Sequence, residues 1–304
     1  YVATGSRFDK YQRAGGGWGN NHLILLAQNF SGYKNLMKLV TAGYLEGFYY
    51  RPRIDMELLR QYSEGLICLS GCLKGEVPEK MLKGDYDGAR KTAIEFSEIF
   101  EGRYYLEIQN HGIPEEEANI KNMKKLSMDL GLPLVCTNDA HYAKKGHWEA
   151  HDIHICLGTG KERSDPKRLR YATPEFYFKT QDEMYHLFKE FPQAMENTRK
   201  IADSIDLTLP MGESHLPNFP IPDSASTDDP DEYLRNLTNS GAENYYGELS
   251  PRIQKRIDHE LNVIKNMGFA GYFLITADFV KYAKNSKIPV GPGRGSAAGS
   301  LVSY

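Results

Sequence analysis

Residues able to do chemistry gather at a few points of the 304-residue chain. Thr137-Asn-Asp-Ala-His-Tyr142 follows an apolar run. In extended backbone, residues two apart project to the same side, so Asp139 and His141 should face together. A carboxylate beside an imidazole suits a divalent metal; the competing reading is a turn with an exposed Asp and an unrelated His. His22 opens a strand-like run, and Cys72 closes another at Leu69-Ser-Gly-Cys72. Alone, such a His is more often structural and such a Cys a small core hydrophobe. They gain weight because strand ends of one barrel can bring thiol, imidazole and carboxylate ligands together. Cys68, Cys136 and Cys156 lie in apolar runs and read as core. His147, His151 and His154 are spaced for one helix face, but Glu149 stands one place late for the His-Glu-x-x-His order. They read as capping and packing residues.

Two other stretches stand out. Residues 161–170 carry five basic against two acidic side chains, which makes either a solvated surface or a path for a phosphate backbone. Gly291-Pro-Gly-Arg-Gly-Ser-Ala-Ala-Gly-Ser300 puts four glycines after a short β-prone run and ahead of small helix-forming residues. Glycines allow close backbone approach, helix-start amides attract phosphate, and Arg294 adds a charged fork. The Lys-Ser/Thr pair of a Walker A loop is absent. Gly293, Gly295 and Ala298 do satisfy the dinucleotide pattern Gly-x-Gly-x-x-Ala, so that reading stays open beside a plain packing turn.

Elements must hold these residues in place. Apolar runs at 22–28, 65–70, 104–109 and 132–137 read as strands, with helical patterns after each. Strands alternating with helices argue for βαβ units and a parallel sheet or barrel. Five prolines between residues 209 and 231 exclude an interior strand or helix and mark a linker, with a first domain at 1–208 and a second at 232–304. Beyond the linker, Ser250 and Pro251 read as N-cap and first helical residue. Ile253, Ile257, Leu261, Ile264 and Met267 form a stripe, and Gly268 is a stop.

Composition bounds the class. The 37 basic and 40 acidic residues nearly cancel, so no global basic field calls for nucleic acid. A mean hydropathy of −0.54 and the lack of a long apolar run exclude a membrane protein. Four cysteines without a signal-peptide pattern suggest a cytoplasmic protein with reduced thiols. The chain starts at Tyr1 and stops at Tyr304 within a helix-like opening, so it is expected to be cut from a longer protein.

Taken in order, residues 1–7, 22–29, 46–55, 69–72, 137–142, 269–275 and 291–300 resemble the alpha subunits of bacterial DNA polymerase III, of the DnaE type. The likeness runs almost end to end, and the last motif is very specific. It implies an α/β fold: a distorted (β/α)7 PHP barrel followed by the first part of a nucleotidyltransferase-type palm domain. It also implies a fragment of a replicative DNA polymerase, with a PHP site able to act as a 3′→5′ exonuclease. The rivals are a stand-alone PHP phosphoesterase and a PHP module that only braces the polymerase and docks partners.

Carried onto this sequence, the resemblance makes His22, Cys72, Asp139 and His141 ligands for Zn²⁺ or Mn²⁺. It makes Gly295 and Ser296, with Arg294, the binders of a nucleoside triphosphate. The family's earliest PHP motifs would precede Tyr1. Its catalytic aspartates, holding palm Mg²⁺, would lie beyond Tyr304 and leave the catalytic residues unknown here. The implied partners are primer–template DNA, dNTPs, a sliding clamp and a proofreading subunit.

Overall fold

The computed structural model describes residues 1–10, 20–212, 216–291, 293 and 295–304. The chain forms two compact units, Tyr1–Leu209 and Pro210–Tyr304.

The first unit opens with strands β1 (Val2–Ala3) and β2 (Asn20–Asn21), which pair antiparallel, and continues into β3 (Ile24–Ala27). Helices α1 (Phe30–Leu45) and α2 (Met56–Gln61) lead to β4 (Leu66–Leu69). Both helices start on side-chain caps: Asn29 accepts from Gly32 N at 2.9 Å and Asp55 from Leu58 N at 3.1 Å. Gly32 is where α1 crosses the turn into β4. A Cβ there would lie 1.8 Å from the Gly65 carbonyl oxygen, so only glycine lets the two backbones meet. Next come α3 (Glu76–Leu82), α4 (Tyr86–Ile99), β5 (Tyr104–Ile108), α5 (Pro114–Leu130) and β6 (Leu134–Cys136). The unit ends with α6 (Trp148–Thr159), α7 (Gln181–Leu187) and α8 (Pro192–Asp203).

One sheet orders the strands β3-β4-β5-β6. The β4–β5 and β5–β6 pairs are parallel, as alternating strands and helices predict, but β3 runs antiparallel to β4. The β3–β4 connection contains α1, an extended segment whose Ile54 bridges Val2, and α2. That is a longer excursion than the single crossover helix of a βαβ unit, so a parallel return is not enforced. The four strands form an α/β sheet that does not close into a barrel among the described residues. β4 is buried on both faces, and Leu59, Leu66, Phe96, Phe100, Leu106 and Leu126 pack into one core around it. Cys68, Cys136 and Cys156 are buried, as their apolar surroundings predict.

The second unit contains α9 (Pro230–Tyr246), α10 (Pro251–Asn266), α11 (Ala270–Asn285) and a 3₁₀ turn at Gly295–Gly299. Ser250 caps α10 through Ile253 N. Ile257, Leu261 and Ile264 bury against Leu234, Ala270 and Leu274. Met267, expected in that stripe, is exposed: it is the C-cap of α10, at the open end of the helix just past the last buried turn.

Candidate functional site

The C-terminal ends of β4, β5 and β6 bring the polar residues of the first unit together. Cys72 follows β4, and its Sγ lies 3.5 Å from Nδ1 of His22. His22 precedes β3 and is held by its own backbone, its N–H donating to the Lys74 carbonyl at 2.9 Å. Asp139 and His141 follow β6. Their side chains meet, with Nε2 of His141 3.1 Å from Oδ1 of Asp139, as the two-residue spacing predicts. The Tyr171 hydroxyl lies 3.1 and 3.0 Å from the two ring nitrogens of His141.

Electrostatics link the two pairs. Burial, helped by Lys74 and Arg51, pushes the His22 imidazole down, and the Asp139 charge opposes that shift. Burial raises the Cys72 thiol; a Lys74 backbone hydrogen bond works against it, while the Glu107 and Asp139 charges add to it. Among the described residues no group of three or more His, Cys, Asp or Glu side chains is poised around one point. The four residues stand as two pairs, within reach of one carboxylate's field.

Two residues here escaped the sequence reading. Glu107 sits inside β5 with 4% of its surface exposed. It accepts from Gly71 N at 3.0 Å, from Gln109 Nε2 at 3.1 Å and from the Thr137 hydroxyl. Burial raises its carboxyl, those hydrogen bonds pull it down, and Asp139 raises it further. His111, 1% exposed, stacks on Phe176 with ring centroids 4.3 Å apart. Its Nδ1 lies 2.8 Å from Glu116 Oε1, and its Nε2 accepts from Asp139 N at 3.2 Å. With Nε2 accepting, Nδ1 carries the proton and donates to Glu116, which fixes the ring and holds the Asp139 backbone. The overlooked signal was a carboxylate inside an apolar strand, followed closely by Asn110, His111 and Gly112.

His151 also takes a place here. Its ring centroid lies 5.8 Å from that of His141 and 5.3 Å from that of Tyr171, and burial together with His141 and His154 lowers its pKa. His147 and His154 are exposed, so the helix-face trio does not assemble.

In the second unit, Arg294 and the Ser296 side chain lie outside the described residues. Gly295 opens the 3₁₀ turn with φ of +67°, a left-handed conformation that disfavours any side chain. The end of the glycine-rich segment is anchored by Glu260 of α10. Its Oε2 accepts from Ser300 Oγ at 2.8 Å and from Val302 N at 3.1 Å, while Oε1 accepts from Arg256 at 2.5 Å. Burial pushes this carboxyl up, but those three hydrogen bonds outweigh it and leave it below its ordinary value.

Comparison with known proteins resolves what these two regions belong to. Residues 2–111 match the PHP domain, and residues 232–304 match the bacterial DNA polymerase III alpha NTPase domain. Along its whole length the chain is 46% identical to the DNA polymerase III subunit alpha of Borreliella burgdorferi and 45% identical to that of Treponema pallidum. Over all of its length, then, the chain is similar to DNA polymerase III alpha subunits. The Thermus aquaticus subunit is 37% identical, again over all of this chain and over 30% of its own length. The chain spans about a quarter of the Borreliella and Treponema relatives, which it matches over 26% of each. The PHP match takes in His22, Cys72, Glu107 and His111 and stops short of Asp139 and His141. PHP domains and DNA polymerases generally use divalent metals. No described helix is long and apolar enough to cross a membrane.

Proposed function

We propose that this chain is the PHP domain (1–208), a linker (209–231) and the start of the palm (232–304) of a replicative DNA polymerase catalytic subunit. The parent protein performs template-directed synthesis on primer–template DNA with dNTPs, in the cytoplasm, alongside a sliding clamp and a proofreading subunit. The observation that carries this reading is identity of up to 46% to DNA polymerase III alpha subunits over the whole chain. In this reading the four-stranded sheet is part of a distorted (β/α)7 barrel.

We propose further that the His22–Cys72 and Asp139–His141 pairs are two halves of a metal centre, completed by ligands outside the described residues. An imidazole–thiol–carboxylate–imidazole donor set fits Zn²⁺ or Mn²⁺. A divalent ion there would supply Lewis-acid polarisation of a phosphodiester, the chemistry of a 3′→5′ exonuclease. The chain's own residues do the positioning. His111 holds the Asp139 backbone, Glu107 ties the β4 and β5 ends together through Gly71, and Tyr171 steadies the His141 ring. Cys72 would release its proton on binding the ion.

In the second unit, backbone amides near Gly295 with Arg294 and Ser296 would receive the incoming triphosphate, whose Mg²⁺ is held elsewhere in the parent. Two assays on the full-length protein test the reading. Primer extension should weaken in Ser296→Ala, and removal of 3′ nucleotides from a single strand should fall in Cys72→Ser with extension intact. Extension unaffected by the first variant would refute the triphosphate role. Strand shortening unaffected by the second would refute the metal assignment.

A further inference from the structure

A basic, aromatic cavity opens beside the Asp139–His141 pair. Its volume is about 670 Å³, within the range of small-ligand sites. Trp148 and Tyr171 line it with aromatic rings, and Arg163, Arg168 and Arg170 line it with charge, against Asp152 as the one lining carboxylate. The three guanidiniums do different things. Arg168 is committed to the fold: Nη1 and Nη2 donate to the two Asp152 oxygens at 2.5 and 2.8 Å, and Nε donates to the Arg163 carbonyl at 3.0 Å. This fork neutralises Asp152 and fastens the basic stretch at 161–170 to α6.

Arg163 comes no closer than 3.6 Å to Asp152 and 3.7 Å to Glu149, too far for hydrogen bonds. Arg170 is exposed, with no hydrogen-bond or ion-pair partner among the described residues. Arg170 is therefore open to an anion, and Arg163, held only by two long ion pairs, can turn to one. Tyr171 is the wall shared with the metal pair, since its hydroxyl touches His141 while its ring faces the cavity.

We infer that this cavity seats the 3′-terminal nucleotide of a single-stranded DNA, with its phosphate on Arg163 and Arg170 and its base against Trp148 and Tyr171. The inference deepens the nuclease reading above and rests on it for the choice of a strand end. Guanidinium forks match phosphate geometry, and aromatic faces accept any base by stacking. An acidic peptide would satisfy the charge but leave both aromatic faces without a role. The placement sets a terminal phosphodiester next to Asp139 and His141.

The test is photocrosslinking in the full-length protein, with EDTA present so that binding is read without cleavage. The probe is a decathymidylate carrying 4-thiothymidine at its 3′ end, and crosslinked peptides are mapped by mass spectrometry. The expected result is crosslinking within residues 142–173, reduced at least tenfold in the double variant Arg163→Gln/Arg170→Gln. Both arginines are exposed, so that variant should keep the parent melting temperature. Crosslinks confined to other peptides, or an unchanged yield in the double variant, would overturn the inference. Thymidine monophosphate competing as well as unlabelled decathymidylate would reassign the cavity to a free mononucleotide and overturn the strand-end assignment. Oligoglutamate competing equally well would overturn nucleotide recognition altogether. Failure of the nuclease reading is a separate result: unchanged metal content and cleavage in Asp139→Asn.

Discussion

The strand-end cluster of the first unit and the glycine-rich segment of the second are built in opposite ways. In the cluster, side chains are buried and satisfy one another: Glu107, His111 and Glu116 are each at most 4% exposed, yet all are hydrogen-bonded. Such a network fixes the groups around it in advance, as a metal centre needs. In the glycine-rich segment the described residues are mostly exposed, and one carboxylate, Glu260, anchors the end. What it offers is backbone, able to come close to an anion because few side chains intervene. Rigid side chains serve one region and open backbone serves the other, so substitutions should act on different observables in each.

The largest effect on stability should come from Glu116. Replacing it with Ala leaves the His111 ring N–H, now 2.8 Å from Oε1, and the His111 backbone N–H, now 2.5 Å from Oε2, without a charged acceptor in a buried place. A loss of about 2–4 kcal/mol is expected in urea unfolding of the first unit, since each unsatisfied buried donor costs about 1–3 kcal/mol. A change within about 0.5 kcal/mol, as for an ordinary surface position, would show that the cluster is not preorganised as described.

Next comes Ser296→Ala in the second unit, with an expected loss of about 1.5–3 kcal/mol of hydrogen bonding to a charged group. That is roughly a ten- to hundredfold rise in nucleotide KM or fall in kcat/KM, with stability little changed. Gly295→Val is a poorer probe, because its φ of +67° makes any β-branched residue strained before a nucleotide arrives. Unaltered steady-state kinetics in Ser296→Ala would reduce the segment to a packing turn.

A smaller effect belongs to Glu260. Its carboxyl sits below its ordinary value, so its contribution is complete above the unfolded value of about 4.5 and is lost as pH falls through the lowered folded value. Glu260→Gln should cost about 1–2 kcal/mol at neutral pH and should converge with the parent protein toward pH 3. Thermal unfolding across that range checks it. A constant difference between the two proteins would mean that the charge does not hold the segment's end.

Much of this contrast was legible in the sequence, for local reasons. The Asp139–His141 contact was legible in their two-residue spacing, although both lie in the turn beyond β6, and the α10 start follows from Ser250 and Pro251. Apolar runs located β4 to β6 because burial selects such runs directly, and β3 although it is only partly buried. What escaped depends on separation along the chain. The antiparallel β3 reflects a long two-helix connection whose path no short window encodes. Glu107 and His111 act through partners 30 and 36 residues away in one case and 28 in the other, so neither stands out until β4, β5 and β6 are side by side. The 161–170 stretch read as solvated surface or phosphate path; only the Arg168–Asp152 fork distinguishes the structural arginine from the open ones.

The most direct measurement is the divalent metal content of the full-length protein after exhaustive dialysis, compared with Asp139→Asn and Cys72→Ser at matched folded fraction. If the two pairs serve one centre, both variants should lose bound metal, with affinity reduced by roughly a hundredfold or more, since even outer positioning residues are worth about 10–100-fold. Full metal occupancy with unchanged affinity in both variants would contradict a shared centre and leave the two pairs as unrelated polar contacts at the ends of the sheet.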